Sequence, residues 1–308
     1  MAEVAIAIAT FRRPKGLERL LNGLAALRTK AKVTLVVADN DAEGHEGFDL
    51  CRVLRARGYR WTIDHFIAPE RGIAQARNAA MARALATGAD YIAMLDDDEW
   101  PEPGWLDAFL ATQRKTGADA LHGKVIRVFE REPSPWLRGC AGVAPCDRPT
   151  GAIGMIESSS NILMTRASVV RLAEPWFDPA FALTGGEDRD FFTRMKGQGA
   201  QFTWANDAVA CAFVPASRLT LSWVLKRAYR VGNSDMRVFL KYRPPHTAWL
   251  REVAKILGAA LCFAPILVIF SVVPNRRAYA LCKLSRAAGK TAALFGRHYN
   301  EYAVIHGK

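Results

Sequence analysis

Apolar residues along the first 130 positions fall into short runs of strand length that alternate with longer stretches of helical period. Val4 to Ala9 is the first such run. Pro14 to Leu27 then carries Leu17, Leu20, Leu21 and Leu24 at the spacing of one buried helical face. Val33 to Ala38 predicts a second strand, Phe48 to Arg57 a helix, Tyr59 to Ile67 a third strand, Ile73 to Ala86 an alanine-rich helix, and Tyr91 to Leu95 a fourth strand. Strands joined through helices pair in parallel, so the pattern predicts an α/β fold with a mostly parallel sheet flanked by helices on both faces. Ligands of such sheets bind beyond the carboxyl ends of the strands. The polar clusters fall there: Thr10 to Arg13, Asp39 to Asp41, Glu70-Arg71-Gly72 and Asp96-Asp97-Asp98 follow the four strands in turn.

Further along, Pro101 and Pro103 delay helix formation until Trp105 to Thr116, and Ala120 to Phe129 predicts a fifth strand. Residues 132 to 150 are rich in Pro, Gly and Arg and read as a long surface loop, of the kind that serves as a functional lid. Ile162 to Met164 restores strand character, and Gly185-Gly186 precedes a helix from Glu187 to Lys196.

Charge divides the chain more sharply than composition does. Residues 1–217 hold 26 Lys+Arg against 27 Asp+Glu, whereas residues 218–308 hold 16 against only Asp235, Glu252 and Glu301. The whole excess of +12 therefore lies in the tail. The tail's companions are apolar: Ile256 to Val273 is an uncharged run of 18 residues, at the lower edge of a membrane span and broken by Pro265. Tyr279 to Phe295 follows, with Lys283, Arg286 and Lys290 on one face of a basic amphipathic helix. These features predict a catalytic domain over 1–217 and a helical, basic membrane-associating region over 218–308. That region would lie on an anionic membrane surface or enter it through one short segment, about 256–273. An ordinary surface helix is the alternative for the amphipathic stretch. Nucleic acid is disfavoured, because the basic residues flank aliphatic rather than aromatic runs. Six scattered cysteines and the lack of a leader pattern predict a reducing, cytosolic setting.

Three consecutive carboxylates after a buried strand demand a cation or solvent to relieve their repulsion. Oxygen-only ligands suit Mg²⁺ or Mn²⁺ bridging to phosphates, and a solvated acidic turn is the competing reading. Asp39 could accept the ring N–H of a pyrimidine, with Thr10 opposite it, and Arg71 could neutralise phosphate. Asp and Arg at such turns also serve as caps or surface charges. Glu187-Asp188, after two glycines, could present a base towards a cleft, or could simply be the acidic first turn favoured by the helix dipole.

Taken together, Thr10-Phe11-Arg12-Arg13-Pro14, Val37-Ala38-Asp39-Asn40-Asp41, Arg71-Gly72-Ile73-Ala74-Gln75-Ala76-Arg77-Asn78, Leu95-Asp96-Asp97-Asp98-Glu99-Trp100-Pro101 and Gly186-Glu187-Asp188 resemble a family 2 inverting glycosyltransferase with the Rossmann-like GT-A fold. Within that family the likeness is to bacterial exopolysaccharide glucosyltransferases of the ExoM type, and it covers roughly residues 3–215. The resemblance implies a UDP-sugar donor and Mg²⁺ or Mn²⁺. It implies Asp98 as metal ligand with Asp96 as its partner, and Asp96 or Asp97 near the ribose. Thr10, Arg13, Asp39, Arg71 and Asn78 become donor-binding positions, and Asp188 the catalytic base. Where processive relatives carry Gln-x-x-Arg-Trp, this chain has Trp223 to Arg230, which argues for single additions. Glu187, Arg227 and Arg230 are candidates for acceptor or diphosphate. The expected activity is transfer of one sugar, glucose or another hexose or N-acetylhexosamine, to a polyprenyl-diphosphate-linked oligosaccharide at the cytoplasmic face of the bacterial inner membrane. Transfer to polyprenyl phosphate itself, or an inactive scaffold of the same fold, are the alternatives.

Overall fold

A computed structural model describes residues 1–137, 140, 143, 146–269 and 273–299. Its first half follows the predicted alternation: β1 (Glu3–Thr10), α1 (Pro14–Ala25), β2 (Lys32–Asp39), α2 (Glu46–Ala56), β3 (Thr62–Ile67), α3 (Ile73–Ala86) and β4 (Tyr91–Met94). Strands β3, β2, β1 and β4 lie side by side and parallel. The period-two pattern sorts their side chains. Val4, Ile6, Ile8, Val33, Leu35 and Val37 face the leucines of α1, whereas Ala5, Ala7, Val36 and Ala38 face the small residues of α3.

Within this half the largest shift of a predicted boundary is three residues. The third strand starts at Thr62 rather than Tyr59, because Tyr59, Arg60 and Trp61 cap the end of α1. The Tyr59 hydroxyl donates to Leu21 O at 2.5 Å, Trp61 Nε1 to Leu24 O at 2.7 Å, and Arg60 to the carbonyls of Ala25 and Leu27. Carbonyls orphaned at a helix C-terminus need such donors.

The second half is mixed. After β5 (Glu99–Pro101) and α4 (Trp105–Thr116), the long strands β6 (Ala120–Phe129) and β9 (Phe202–Val214) pair in parallel. β8 (Ile162–Thr165) runs antiparallel to both β4 and β6 and so joins the two halves. β5 and β7 (Gly151–Ile153) add antiparallel to β9, giving one nine-stranded sheet. The pattern does not predict β9, since Asn206-Asp207 interrupts it where the register with β6 shifts at Gly123/Lys124. α5 (Arg166–Val170) and α6 (Glu187–Gly197) complete this half. Part of the predicted lid, residues 138–139, 141–142 and 144–145, lies outside the described residues.

The tail is a bundle of α7 (Leu221–Lys241), α8 (His246–Ile269) and α9 (Pro274–Leu294). α7 and α9 approach so closely that a Cβ on Gly232 would overlap the Arg286 carbonyl, and one on Gly289 the Tyr229 carbonyl. Two of the three lysines and arginines on the basic face of α9 are ion-paired within the tail, Arg286 to Asp235 at 2.5 Å and Lys290 to Glu252 at 2.7 Å. Among the described residues no helix is long and apolar enough to cross a membrane. Residues 270–272 of the predicted apolar run lie outside them. The tail docks on the rest of the protein through Val224, Ala278 and Cys282, which pack with Leu137, Cys140, Val143, Val214 and Leu219.

Candidate functional site

The carboxyl ends of β1 and β4 open onto a cavity of about 780 Å³ lined by Thr10, Phe11, Arg13, Arg71 and Asp96 to Glu99 on one side and by Arg218, Arg227 and Arg230 on another. A β-turn, closed by the Glu99 N–H donating to Asp96 O at 3.0 Å, splays the three aspartates. Asp97 turns inward, where it accepts from Thr10 Oγ1 and from Arg13, each at 3.0 Å. Burial pushes its carboxyl up to about 6, against the opposing charge of Arg13. Asp98 pairs with Arg218 at 3.0 Å and more loosely with Arg13 at 3.7 Å. Asp96 keeps 42% of its side chain exposed and pairs with Arg77 at 3.0 Å. Burial, with the charges of Asp96 and Asp98, holds the neighbouring Glu99 well above the usual carboxylate range.

Arg77 joins this turn to the start of α6. Its buried guanidinium donates to Glu187 Oε1 at 2.5 Å and to Asp188 Oδ1 at 2.6 Å, while the same fork reaches Asp96. Gly185 and Gly186 take φ values of 74° and 108°, a left-handed turn that brings the first residues of α6 up to the arginine. The Ser159 N–H donates to Asp188 Oδ2 at 3.2 Å. Burial pushes Asp188 upward, yet the charge of Arg77, with Glu187 and the Ser159 amide, holds it below the ordinary carboxylate range. Glu187 goes the other way, raised well above that range by burial and by Asp188. Two adjacent acids are thus driven apart, leaving Asp188 ionised as a base must be.

Residues 5–166 match the family model of glycosyl transferase family 2. The chain belongs to that family. It is 31% identical over 298 residues to the succinoglycan biosynthesis protein ExoM of Rhizobium meliloti (strain 1021), covering 95% of this chain and 93% of the relative. Among solved structures it is similar to S. aureus TarS 1-349 in complex with UDP, at a TM-score of 0.53 and 13% identity, over 97% of this chain and 93% of that one. The complex of the same protein with UDP-GlcNAc matches over the same shares of the chains, at a TM-score of 0.50 and 14% identity. At these identities the structural likeness speaks to the fold.

Of the expected site residues of this family 2 glycosyltransferase, Thr10, Arg13, Arg71, Asp96, Asp97, Asp98, Arg227 and Arg230 line the cleft. Asp188 and Glu187 join them through Arg77. Two do not line it. Asp39 is buried with both carboxylate oxygens taken by backbone, accepting from the Asp41 N–H at 3.0 Å and the Phe48 N–H at 2.9 Å. Asn78 clamps the loop before α6 instead, donating to Phe177 O at 2.7 Å and accepting from Phe177 N–H at 2.8 Å. Sequence reasoning missed Arg77, Arg218 and Ser159. For Arg77 a signal existed: it occupies the apolar phase of α3, in step with buried Ala74, Met81 and Ala84.

Asp96 and Asp98 are oxygen donors of the kind that would hold a hard divalent cation. Burial raises the carboxyl pKa values of Asp97, Glu99 and Glu187, with neighbouring carboxylates adding to it, while Arg13 opposes the rise at Asp97 and Arg77 at Glu187. Asp96 and Asp98 offer oxygens to the cleft. Among the described residues no group of three or more His, Cys, Asp or Glu is placed to hold a metal ion. Two carboxylates with the remaining positions left to water and phosphate is the ligand economy of Mg²⁺.

Proposed function

We propose that this family 2 glycosyltransferase moves one sugar from a UDP-sugar, with inversion, to a polyprenyl-diphosphate-linked oligosaccharide in bacterial exopolysaccharide synthesis. The observation that carries the reading is the ion-pair bridge by which Arg77 ties Asp188 to Asp96, at the edge of the cleft that Asp96 and Asp98 line. The UDP and UDP-GlcNAc complexes of TarS support a nucleotide-sugar donor, and the name of the ExoM relative supports the biosynthetic setting.

Asp188 takes the proton of the attacking acceptor hydroxyl, and Arg77 with the Ser159 N–H keeps it ionised and aimed. A single displacement at the anomeric carbon inverts its configuration. Asp96 and Asp98 would hold Mg²⁺ or Mn²⁺, which supplies positive charge against the leaving diphosphate. Thr10 and Arg13 keep Asp97 in place behind that pair. Arg71, Arg218, Arg227 and Arg230 give the cleft walls a positive potential for phosphate groups.

The acceptor's lipid is served by the tail, which sits at the cytoplasmic face of the inner membrane. Leu250, Leu257, Leu261 and Ile269 of α8 are all more than half exposed, and the tail's basic residues favour an anionic surface over nucleic acid. The test is turnover of a panel of UDP-sugars by the full chain with lipid-linked acceptor and Mg²⁺ or Mn²⁺. Asp98→Ala and Asp188→Asn are expected to lose roughly 10²-fold or more in kcat. Full activity of either variant would refute its assignment. Product mass spectrometry identifies the acceptor, and addition to bare polyprenyl phosphate would overturn the oligosaccharide reading.

A further inference from the structure

The helix that carries Asp188 is held from two sides, and one of them is the tail. Arg77 grips its first turn from the sheet side. From the other side α7 holds the loop that leads into it. Ser234 Oγ donates to Gly185 O at 3.1 Å, Arg237 donates to Ala180 O at 3.1 Å and to Thr184 Oγ1, and the Arg237 guanidinium lies over the Phe181 ring at 4.7 Å. One turn further, Lys241 Nζ reaches Asp178 at 2.8 Å and Asp190 at 2.6 Å, and the Tyr242 hydroxyl donates to Asp190 at 2.7 Å. Asp190 is two positions beyond Asp188 on α6, and its side chain is fully buried.

These contacts are concentrated on one segment. Gly185 and Gly186 have no side chains with which to fix their left-handed turn, so the turn depends on what packs against it. A Cβ on Gly186 would already touch Ser234 at 3.1 Å. The buried Asp190 resists drift from Lys241 at 2.6 Å, since its other ion-pair partner, Arg194 on the same helix, reaches it only at 3.3 Å and a poorly paired buried charge is costly. The same α7 presents Arg230 to the cleft, so one rigid helix faces both substrate and base support.

We infer that α7 is a positioning element for Asp188: Lys241, Tyr242, Ser234 and Arg237 set where the base stands, and the tail is a working part of the catalytic unit. The inference rests on the reading of Asp188 as the base. It extends that unit past residue 217 to the end of α7. It also joins the exposed α8 to the base, since Lys290 of α9 pairs with Glu252 of α8 and Arg286 of α9 with Asp235 of α7.

The experiment compares full-length wild type with Lys241→Met, Lys241→Arg, Tyr242→Phe and the double variant Lys241→Met/Asp190→Asn. Three readouts are taken: hydrogen exchange over residues 178–190, calorimetric binding of UDP with Mn²⁺, and steady-state kinetics with the UDP-sugar that wild type turns over. Lys241→Met is expected to lower kcat at least tenfold and raise exchange over 178–190. Donor KM, UDP affinity and exchange in β1 and β2 should stay within twofold of wild type. Lys241→Arg should recover kcat to within threefold. If Lys241→Met does not fold, the double variant removes both charges of the pair, the buried Asp190 and its more exposed partner, and carries the same expectation. A kcat within twofold of wild type in both charge-removing variants overturns the inference, as does loss of UDP binding in parallel with kcat. Tyr242→Phe should lower kcat about threefold at constant KM, and an unchanged kcat counts against the positioning role of α7. Asp188→Asn, measured alongside, separates the two readings: activity there sinks the base, whereas an inactive Asp188→Asn beside a fully active Lys241→Met sinks only the positioning role of α7.

Discussion

Replacing Arg77 by methionine removes a side chain that touches both ends of the site while leaving its volume largely filled. Glu187 and Asp188 have side-chain exposures of 3% and 20%, so these two ion pairs are poorly screened, and Asp96, at 42%, is discounted for solvent. Breaking a buried pair by removing one partner costs about 3–5 kcal/mol, because the other charge is left uncompensated. At roughly 2–4 °C per kcal/mol for a unit of this size, thermal unfolding should fall by roughly 6–20 °C. The kinetic signature is separate. Asp188 is held low against burial chiefly by the charge of Arg77, and a carboxyl depressed in the folded state contributes stability that is present above its unfolded pKa and lost as pH falls through the folded one. Without Arg77 burial prevails, Asp188 protonates at higher pH, and the acidic limb of the kcat profile moves up. Differential scanning calorimetry and a pH–rate profile with the active UDP-sugar read both effects. A shift in unfolding below 2 °C with an unmoved acidic limb would refute the network, by the same size scaling. Arg77→Lys keeps the charge but not the fork, and should fall between the two.

Gly289→Ala forces a Cβ against the Tyr229 carbonyl and should cost about 1–3 kcal/mol, whereas Gly258→Ala, on α8 with nothing within 4 Å of the added atom, should stabilise by roughly 0.5–1 kcal/mol; equal effects in thermal unfolding would contradict the α7–α9 packing. His122 is pushed down to about 4, first by burial and then by the charge of Arg148. The unfolded chain takes up that proton near pH 6.5, so stability should decline as pH falls from there towards 4, by at most about 3 kcal/mol. Urea titrations at both ends of that window should show a smaller decline in His122→Gln, and identical slopes would dismiss the assignment. Arg218→Ala leaves Asp98 with its weaker partner Arg13, and divalent-metal affinity, followed by calorimetry, should rise rather than fall.

Much of the fold was legible because it rests on short-range rules. The leucines of α1 and the alternating residues of β1 and β2 face opposite layers as their periods require, and the polar clusters end the strands where a parallel sheet opens its cleft. The expectation was weaker where local order is interrupted. β9 escaped notice because Asn206-Asp207 breaks its pattern at a bulge, and Tyr59 to Trp61 resemble a strand but serve as donors to the end of α1.

Sequence by itself determined the period of each element, the excess positive charge of the tail and the appearance of carboxylates at strand ends, since each is set within a few residues. Only the tertiary structure decided which way those carboxylates turn. Asp39 at the end of β2 and Asn78 on α3 lie close in sequence to cleft residues yet spend their hydrogen-bonding atoms on backbone packed against them, where an unmet N–H would be costly. Arg77 and Glu187, 110 positions apart, meet because burial leaves a charge no partner but another charge, and the chain must fold to bring one to it.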